Sequence, residues 1–244
     1  MNTKHNIITF LVASLFTASI SMAADVDDST EVLAAKQQTK KIDALKKLPG
    51  GSFSLIKTGE KTYLISENGR FVVANPIIMD VWNQKKIKTF EDAADVDKLN
   101  LKKLGLKDED LASYSYGSGK QEVTIFLDPQ CPHCSAVTNQ VAALKDQYKF
   151  NFVPLPLLGE KSTDIVKKME CSKNNSAVID SILSRNYVNL PAMQEGCSLE
   201  RLKKTLVVST LIGIQGVPFT ILPNGKTVSG RIDNLAQTIS KNLN

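Results

Sequence analysis

Residues 123–148 hold the pattern that most limits how this chain can fold. Val123-Thr124-Ile125-Phe126-Leu127 is a short apolar run with the composition of a buried strand. Asp128-Pro129-Gln130 turns the chain, and Cys131-Pro132-His133-Cys134 follows at once. Val137, Val141, Leu144 and Tyr148 then recur at helical spacing. The two cysteines are therefore fixed at a junction where a strand ends and a helix begins.

That junction predicts dithiol chemistry. The first turn of a helix has N–H groups without intrahelical partners, and the positive end of the macrodipole lies there. Both favour an anionic sulfur on Cys131, which makes it the expected nucleophile. Cys134 lies one turn further on the same face, more buried, placed to resolve a mixed disulfide. Pro132 suits the first turn because it has no N–H to leave unpaired. His133 can donate a hydrogen bond or positive charge toward the Cys131 sulfur. Two other uses of the pair carry less weight. A disulfide spanning two residues with a purely structural role is geometrically strained. A zinc site needs two more ligands, and the only spare ones are Cys171 and Cys197. No metal and no cofactor is expected.

Four cysteines allow three pairings. The short gap makes Cys131 and Cys134 a local pair and leaves Cys171 and Cys197 for each other. Their disulfide would close a loop of about 25 residues and contribute about 3 kcal/mol in the chain-entropy account. A second redox pair is the weaker reading, since neither residue has the Cys-x-x-Cys context.

The N-terminus bears on the compartment. One lysine, Lys4, precedes an apolar run from Ile7 to Ile20, and small residues follow at Ser21, Ala23 and Ala24. This is the pattern of a cleaved secretory signal peptide over residues 1–23. The run is shorter than the roughly 20 residues that span a bilayer. Export implies an oxidising compartment where disulfides persist. The formal net charge is +5, or +4 without Lys4. The lysines are scattered, so nucleic acid is not an expected partner.

The remaining zones read as follows. Residues 24–50 form a helical extension, an amphipathic helix from Thr30 to Leu48 that Pro49-Gly50-Gly51 would stop. Residues 51–88 form a small β-rich domain. In it, Asn68-Gly69 joins Lys61-Thr62-Tyr63-Leu64-Ile65 to Phe71-Val72-Val73-Ala74 as a hairpin. Residues 89–119 are charged and helix-prone, interrupted at Gly105, and read as a helical linker closed by a Gly/Ser/Tyr break. Residues 120–244 give strand, helix, strand, helices, a hairpin around Asn224-Gly225, and a last amphipathic helix. That order predicts an α/β fold: a thioredoxin-like domain with a helical insertion.

At this level of detail the chain resembles the periplasmic DsbC/DsbG disulfide isomerases. The resemblance is carried by Phe126-Leu127-Asp128-Pro129-Gln130-Cys131-Pro132-His133-Cys134, by Cys171 and Cys197, and by Gly213-Ile214-Gln215-Gly216-Val217-Pro218 leading to Pro223-Asn224-Gly225. The segment Tyr63 to Val81 is similar to that family's N-terminal dimerisation domain, here a small α+β domain ahead of the linker. The resemblance implies that Cys131 attacks and Cys134 is its partner, and that Cys171 and Cys197 form a structural disulfide. It also implies that Pro218 is the cis-proline beside the active site and, with Val217, helps hold substrate backbone. Such proteins work as V-shaped homodimers whose apolar cleft serves as a chaperone for misfolded proteins. Two residues depart from the pattern. Pro132-His133 replaces the Gly-Tyr of DsbC, and Val217 replaces the family's usual Thr; both choices resemble the monomeric oxidase DsbA.

Three functions follow. The first is a dimeric disulfide isomerase for exported proteins, kept reduced by a DsbD-type membrane partner. The second is a dithiol oxidase recharged by a DsbB-type membrane protein. The third is a holdase that uses its cleft without redox chemistry.

Overall fold

The computed structural model describes residues 42–193 and 196–243. The expected signal peptide and most of the expected helical extension lie outside these residues.

The described chain begins with a four-stranded antiparallel meander. Its strands are β1 (Ala44–Lys47), β2 (Phe53–Thr58), β3 (Lys61–Ser66) and β4 (Val72–Ala74), in that spatial order. Here the helical reading of residues 24–50 needs correction over its described part, residues 42–50. Ala44–Lys47 is a strand, with Leu45 opposite Ile56 and Lys47 opposite Ser54. Pro49-Gly50-Gly51 closes a hairpin instead of stopping a helix: Leu48 N donates to Phe53 O at 2.9 Å, and Gly50 and Gly51 take φ of 86° and 74°. The physical reason is that an isolated helix of this length is marginal, whereas the β2 edge offers a full ladder of partners. The Asn68-Gly69 hairpin forms between β3 and β4, with Gly69 at φ 70°. A hairpin of β5 (Ile78–Asp80) and β6 (Lys85–Ile87) and a 3₁₀ turn at Glu91–Asp95 follow. Together they cover a small core of Leu55, Ile87 and Ala93.

The second sheet has strand order β11-β10-β8-β9-β7. Its members are β7 (Tyr114–Tyr116), β8 (Gln121–Leu127), β9 (Tyr148–Pro154), β10 (Phe219–Ile221) and β11 (Thr227–Ser229). Only β8 and β9 run parallel, with Val123 opposite Phe150 and Leu127 opposite Pro154. The period of two sends alternate β8 side chains to opposite faces. Val123, Ile125 and Leu127 enter one core with residues of α1 (Cys134–Val141), α2 (Glu160–Glu170), α3 (Asn175–Ser184) and α5 (Leu235–Leu243). Phe126 enters the other, shared with Leu99, Leu111 and the α4 (Glu200–Leu211) residue Val208.

The expected helical linker is a second correction. Residues 89–119 contain only the 3₁₀ turns Glu91–Asp95 and Asp108–Asp110, and then β7, an edge strand of the catalytic sheet. Leu99 and Leu111 are buried in the second core, with Leu101, Leu104 and Leu106 packed on it, so the leucines follow the sheet surface rather than a helical stripe. Leu99 N donates to Gly225 O at 2.7 Å, which ties the connector to the last hairpin. The Gly/Ser/Tyr break is explained by close approach. A Cβ on Gly117 or Gly119 would collide with backbone between Lys145 and Tyr148.

Candidate active site

Leu127 ends β8, and the next residue organises the site. Asp128 is fully buried. Its Oδ1 accepts from Gln130 N at 2.6 Å and Ser162 Oγ at 2.7 Å. Its Oδ2 accepts from Leu157 N at 2.7 Å and Leu158 N at 2.9 Å. Four donors on one carboxylate satisfy the lone pairs that burial would otherwise strand. The clamp joins three segments: the loop before Cys131, the loop after β9, and α2.

Cys131 occupies the turn that this clamp holds. Its N–H donates to Asp128 O at 3.0 Å, and its carbonyl accepts from Cys134 N at 3.3 Å. The α-helix itself starts at Cys134, with His133 as its N-cap residue, so Cys131 stands before the helix rather than in its first turn. This refines the expected placement: the short Pro132-His133 turn lies between the nucleophile and the helix. Cys131 Sγ lies 3.4 Å from the carbonyl oxygen of Val217, to which its thiol donates. The Val217–Pro218 bond is cis. Pro218 immediately precedes β10, the strand next to β8, so the sheet register brings this loop against the dithiol.

The two sulfurs differ in access. Cys131 keeps 4% of its surface exposed and Cys134 none, while Pro132 and His133 are exposed on the rim. Both thiols are free. A client sulfur therefore has one route, to Cys131. Burial pushes the Cys134 thiol well above the ordinary range; the neighbouring Cys131 thiol adds to this, while the Asp128 backbone and the Arg185 charge oppose it.

Cys171 and Cys197 are bonded to each other, with Cα atoms 5.6 Å apart. The bridge runs from the end of α2 to the segment before α4 and so spans α3. Nearby, Arg201 makes a two-pronged ion pair with Glu170, both contacts 2.9 Å, and the Glu170 side chain is almost wholly buried.

Sequence reasoning missed the role of Asp128, which it read only as a turn residue, and missed Ser162, Leu157, Leu158 and Arg185 altogether. An acidic residue directly after a wholly apolar strand was the one signal available for the clamp.

A sheet of this order, with vicinal thiols at the end of its central strand and a cis-proline loop facing them, defines a thiol–disulfide oxidoreductase. The chain belongs to the thioredoxin-like domain family, which matches residues 108–237. That match begins before β7, in line with the edge strand lying ahead of residue 120. No curated protein matches the chain. Among solved structures, it is similar to a disulfide interchange protein from Neisseria gonorrhoeae, at 21% identity over 56% of this chain and 98% of that one, with a TM-score of 0.47. It is also similar to the thiol-disulfide exchange protein alpha-DsbA2 from Wolbachia pipientis, at 15% identity over 59% and 94%, with a TM-score of 0.45. A third is DsbG of Helicobacter pylori, at 16% identity over 78% and 97%, with a TM-score of 0.36.

Proposed function

We propose that this protein rearranges disulfides in exported proteins, as a periplasmic, dimeric isomerase of DsbC type with an oxidant-like Cys131-Pro132-His133-Cys134 site. The observation that carries the reading is the asymmetry of the dithiol: Cys131 has a solvent window beside the cis-proline loop, and Cys134 is sealed behind it.

In this mechanism the Cys131 thiolate attacks a client disulfide. A bond forms between Cys131 Sγ and one client sulfur, the client S–S bond breaks, and the other client sulfur leaves as a thiolate. That thiolate can attack a different client disulfide, and the sulfur it displaces can in turn attack the mixed disulfide and release Cys131. No net oxidation occurs. If the client stalls, Cys134 attacks Cys131 Sγ, closes the Cys131–Cys134 disulfide and expels the client reduced. While Cys131 is bonded to the client, its thiol no longer occupies the Val217 carbonyl. That oxygen is then free to accept a client backbone N–H, the role proposed for Val217 and Pro218.

Dimerisation is supported by the first sheet. Its edge strand β4 is exposed along its length, with Val72 36% and Val73 49% accessible, and Phe71 just before it is 60% accessible. Open strand edges with apolar side chains are pairing sites. Export is supported by the leader-like N-terminus, and among the described residues no helix is long and apolar enough to cross a membrane. The second reading, a dithiol oxidase recharged by a DsbB-type partner, is favoured by Pro132, His133 and Val217. An isomerase would instead draw electrons from a DsbD-type partner.

The test is recovery of active ribonuclease from its scrambled, fully oxidised form. Intact protein should rescue activity and Cys131→Ala should not; equal recovery by both would reject the proposal. Alkylation trapping in cells separates the readings: a reduced pair marks the isomerase, an oxidised pair the oxidase.

A further inference from the structure

The loop that leaves β9 is held at every step. Pro154 ends the strand, Leu155 N donates to Leu127 O at 2.7 Å, and Pro156 fixes the φ that precedes Leu157. Asp128 Oδ2 then takes the amides of Leu157 and Leu158, at 2.7 and 2.9 Å. Gly159, at φ 95°, turns the chain into α2, whose Ser162 returns to the same carboxylate at 2.7 Å. A buried carboxylate is costly unless its bonds are made, and here two of the four are made to this loop.

The residues whose amides are so firmly fixed leave their side chains in solvent: Leu157 is 41% and Leu158 52% accessible. Exposed apolar side chains are ordinary on a protein surface, so exposure by itself decides nothing. This pair is set apart by its place and its anchorage. The carboxylate that takes the two leucine amides on Oδ2 takes Gln130 N on Oδ1 at 2.6 Å. The backbone of the leucine pair and the turn leading into Cys131 therefore lie one carboxylate's width apart. Across the nucleophile, the Val217 carbonyl stands 3.4 Å from Cys131 Sγ. A client that brings a sulfur to Cys131 has to lay the residues beside that sulfur over these two loops.

We propose that Leu157 and Leu158 form a client subsite that selects cysteines flanked by apolar residues, with Asp128 and Ser162 holding it in position. The inference rests on the oxidoreductase reading and names the class of client segment its site takes. Cysteines with apolar neighbours are buried in finished proteins, so the subsite favours chains that have not completed folding. In the step it serves, a client thiolate attacks Cys131 Sγ of the Cys131–Cys134 disulfide. A Cys131–client bond forms, the Cys131–Cys134 bond breaks, and the electron pair leaves on Cys134 Sγ. Contact between the client's apolar flank and the two leucines holds the attacking sulfur in line with that bond.

The test mixes the oxidised full chain with two single-cysteine peptides, one with leucines and one with serines on both sides of the cysteine. Both flanks are uncharged, so neither peptide gains an electrostatic advantage. The readout is the ratio of the two second-order rates of exchange. The parent should prefer the leucine peptide about tenfold, the lower end of what one apolar contact contributes to discrimination. Leu157→Ser with Leu158→Ser should bring the ratio close to one. Leu157→Met with Leu158→Met should keep it, and so should Val207→Ser, which changes an exposed apolar residue on α4. A parent with no preference, or a serine double variant with the parent's ratio, would overturn the inference. A serine double variant that keeps the ratio but loses mass by light scattering would also overturn it and assign the leucines to a contact between copies. Absence of exchange with both peptides would sink the oxidoreductase reading itself, a result distinct from exchange without preference.

Discussion

The two sheets of this chain solve the burial problem in opposite ways. The catalytic sheet is covered on both faces, with Val123, Ile125 and Phe126 wholly inaccessible. The first sheet shares a small core cluster, Leu55 with Ile87 and Ala93, and leaves Leu45, Phe53, Val73 and the adjoining Phe71 in the open. A sheet that has to hold two sulfurs, a carboxylate and a cis-proline loop in register needs packing on every side. In the proposed dimer a second chain would finish the first sheet, and the exposed face and open edge are what such a partner requires. On that reading the difference in packing is a difference in task.

The sharpest way to break this contrast is to cut equivalent core residues. Ile125→Ala and Leu55→Ala each remove a fully buried side chain, and such truncations cost about 2–5 kcal/mol. Ile125→Ala should lower the melting temperature of the catalytic unit and abolish exchange. Leu55→Ala should leave the exchange chemistry of the dithiol intact while disrupting assembly, read by activity and light scattering together. Equal loss of both properties in both variants would erase the distinction.

Opening the Cys171–Cys197 bridge with paired alanines should destabilise the catalytic unit by about 3 kcal/mol, seen in chemical denaturation. The variant should retain the reactivity of Cys131, because the bridge spans the insertion and not the β8 junction.

A smaller effect comes from pH. The Cys134 thiol is raised in the folded protein, first by burial. Below the ordinary thiol value of about 8.5 both folded and unfolded chains hold that proton. Above it the unfolded chain releases the proton while the fold retains it, so the reduced protein loses stability as pH rises. Thermal melts of reduced protein from neutral to alkaline pH should show this decline, and Cys134→Ala should flatten it. The same asymmetry predicts that iodoacetamide labels Cys131 before Cys134.

The smallest change in stability should come from Val73→Lys on the exposed edge strand β4. It should alter unfolding by less than about 0.5 kcal/mol, as exposed substitutions do, yet lower the mass in solution toward that of a single chain. An unchanged mass would show that β4 is not where copies meet.

The β8 strand, the cysteine junction and the two Asn/Gly hairpins were legible because local sequence fixes local geometry there. Ala44–Lys47 and Tyr114–Tyr116 were not legible as strands. Each is short, and each becomes a strand only because β2 or β9 supplies a ladder, which no window of sequence displays. The same holds for the site. Cys131 and Cys134 announce themselves by spacing, whereas Asp128 and Ser162 matter through partners that only the fold brings near.

The central place of β8 has a further consequence. The two loops that flank the dithiol issue from its immediate neighbours, one leading into β10 and one leaving β9. Alignment of the reacting sulfur is therefore inherited from hydrogen-bonded ladders on either side. Heat that frays the outer strands or the surface turns reaches the reaction centre last.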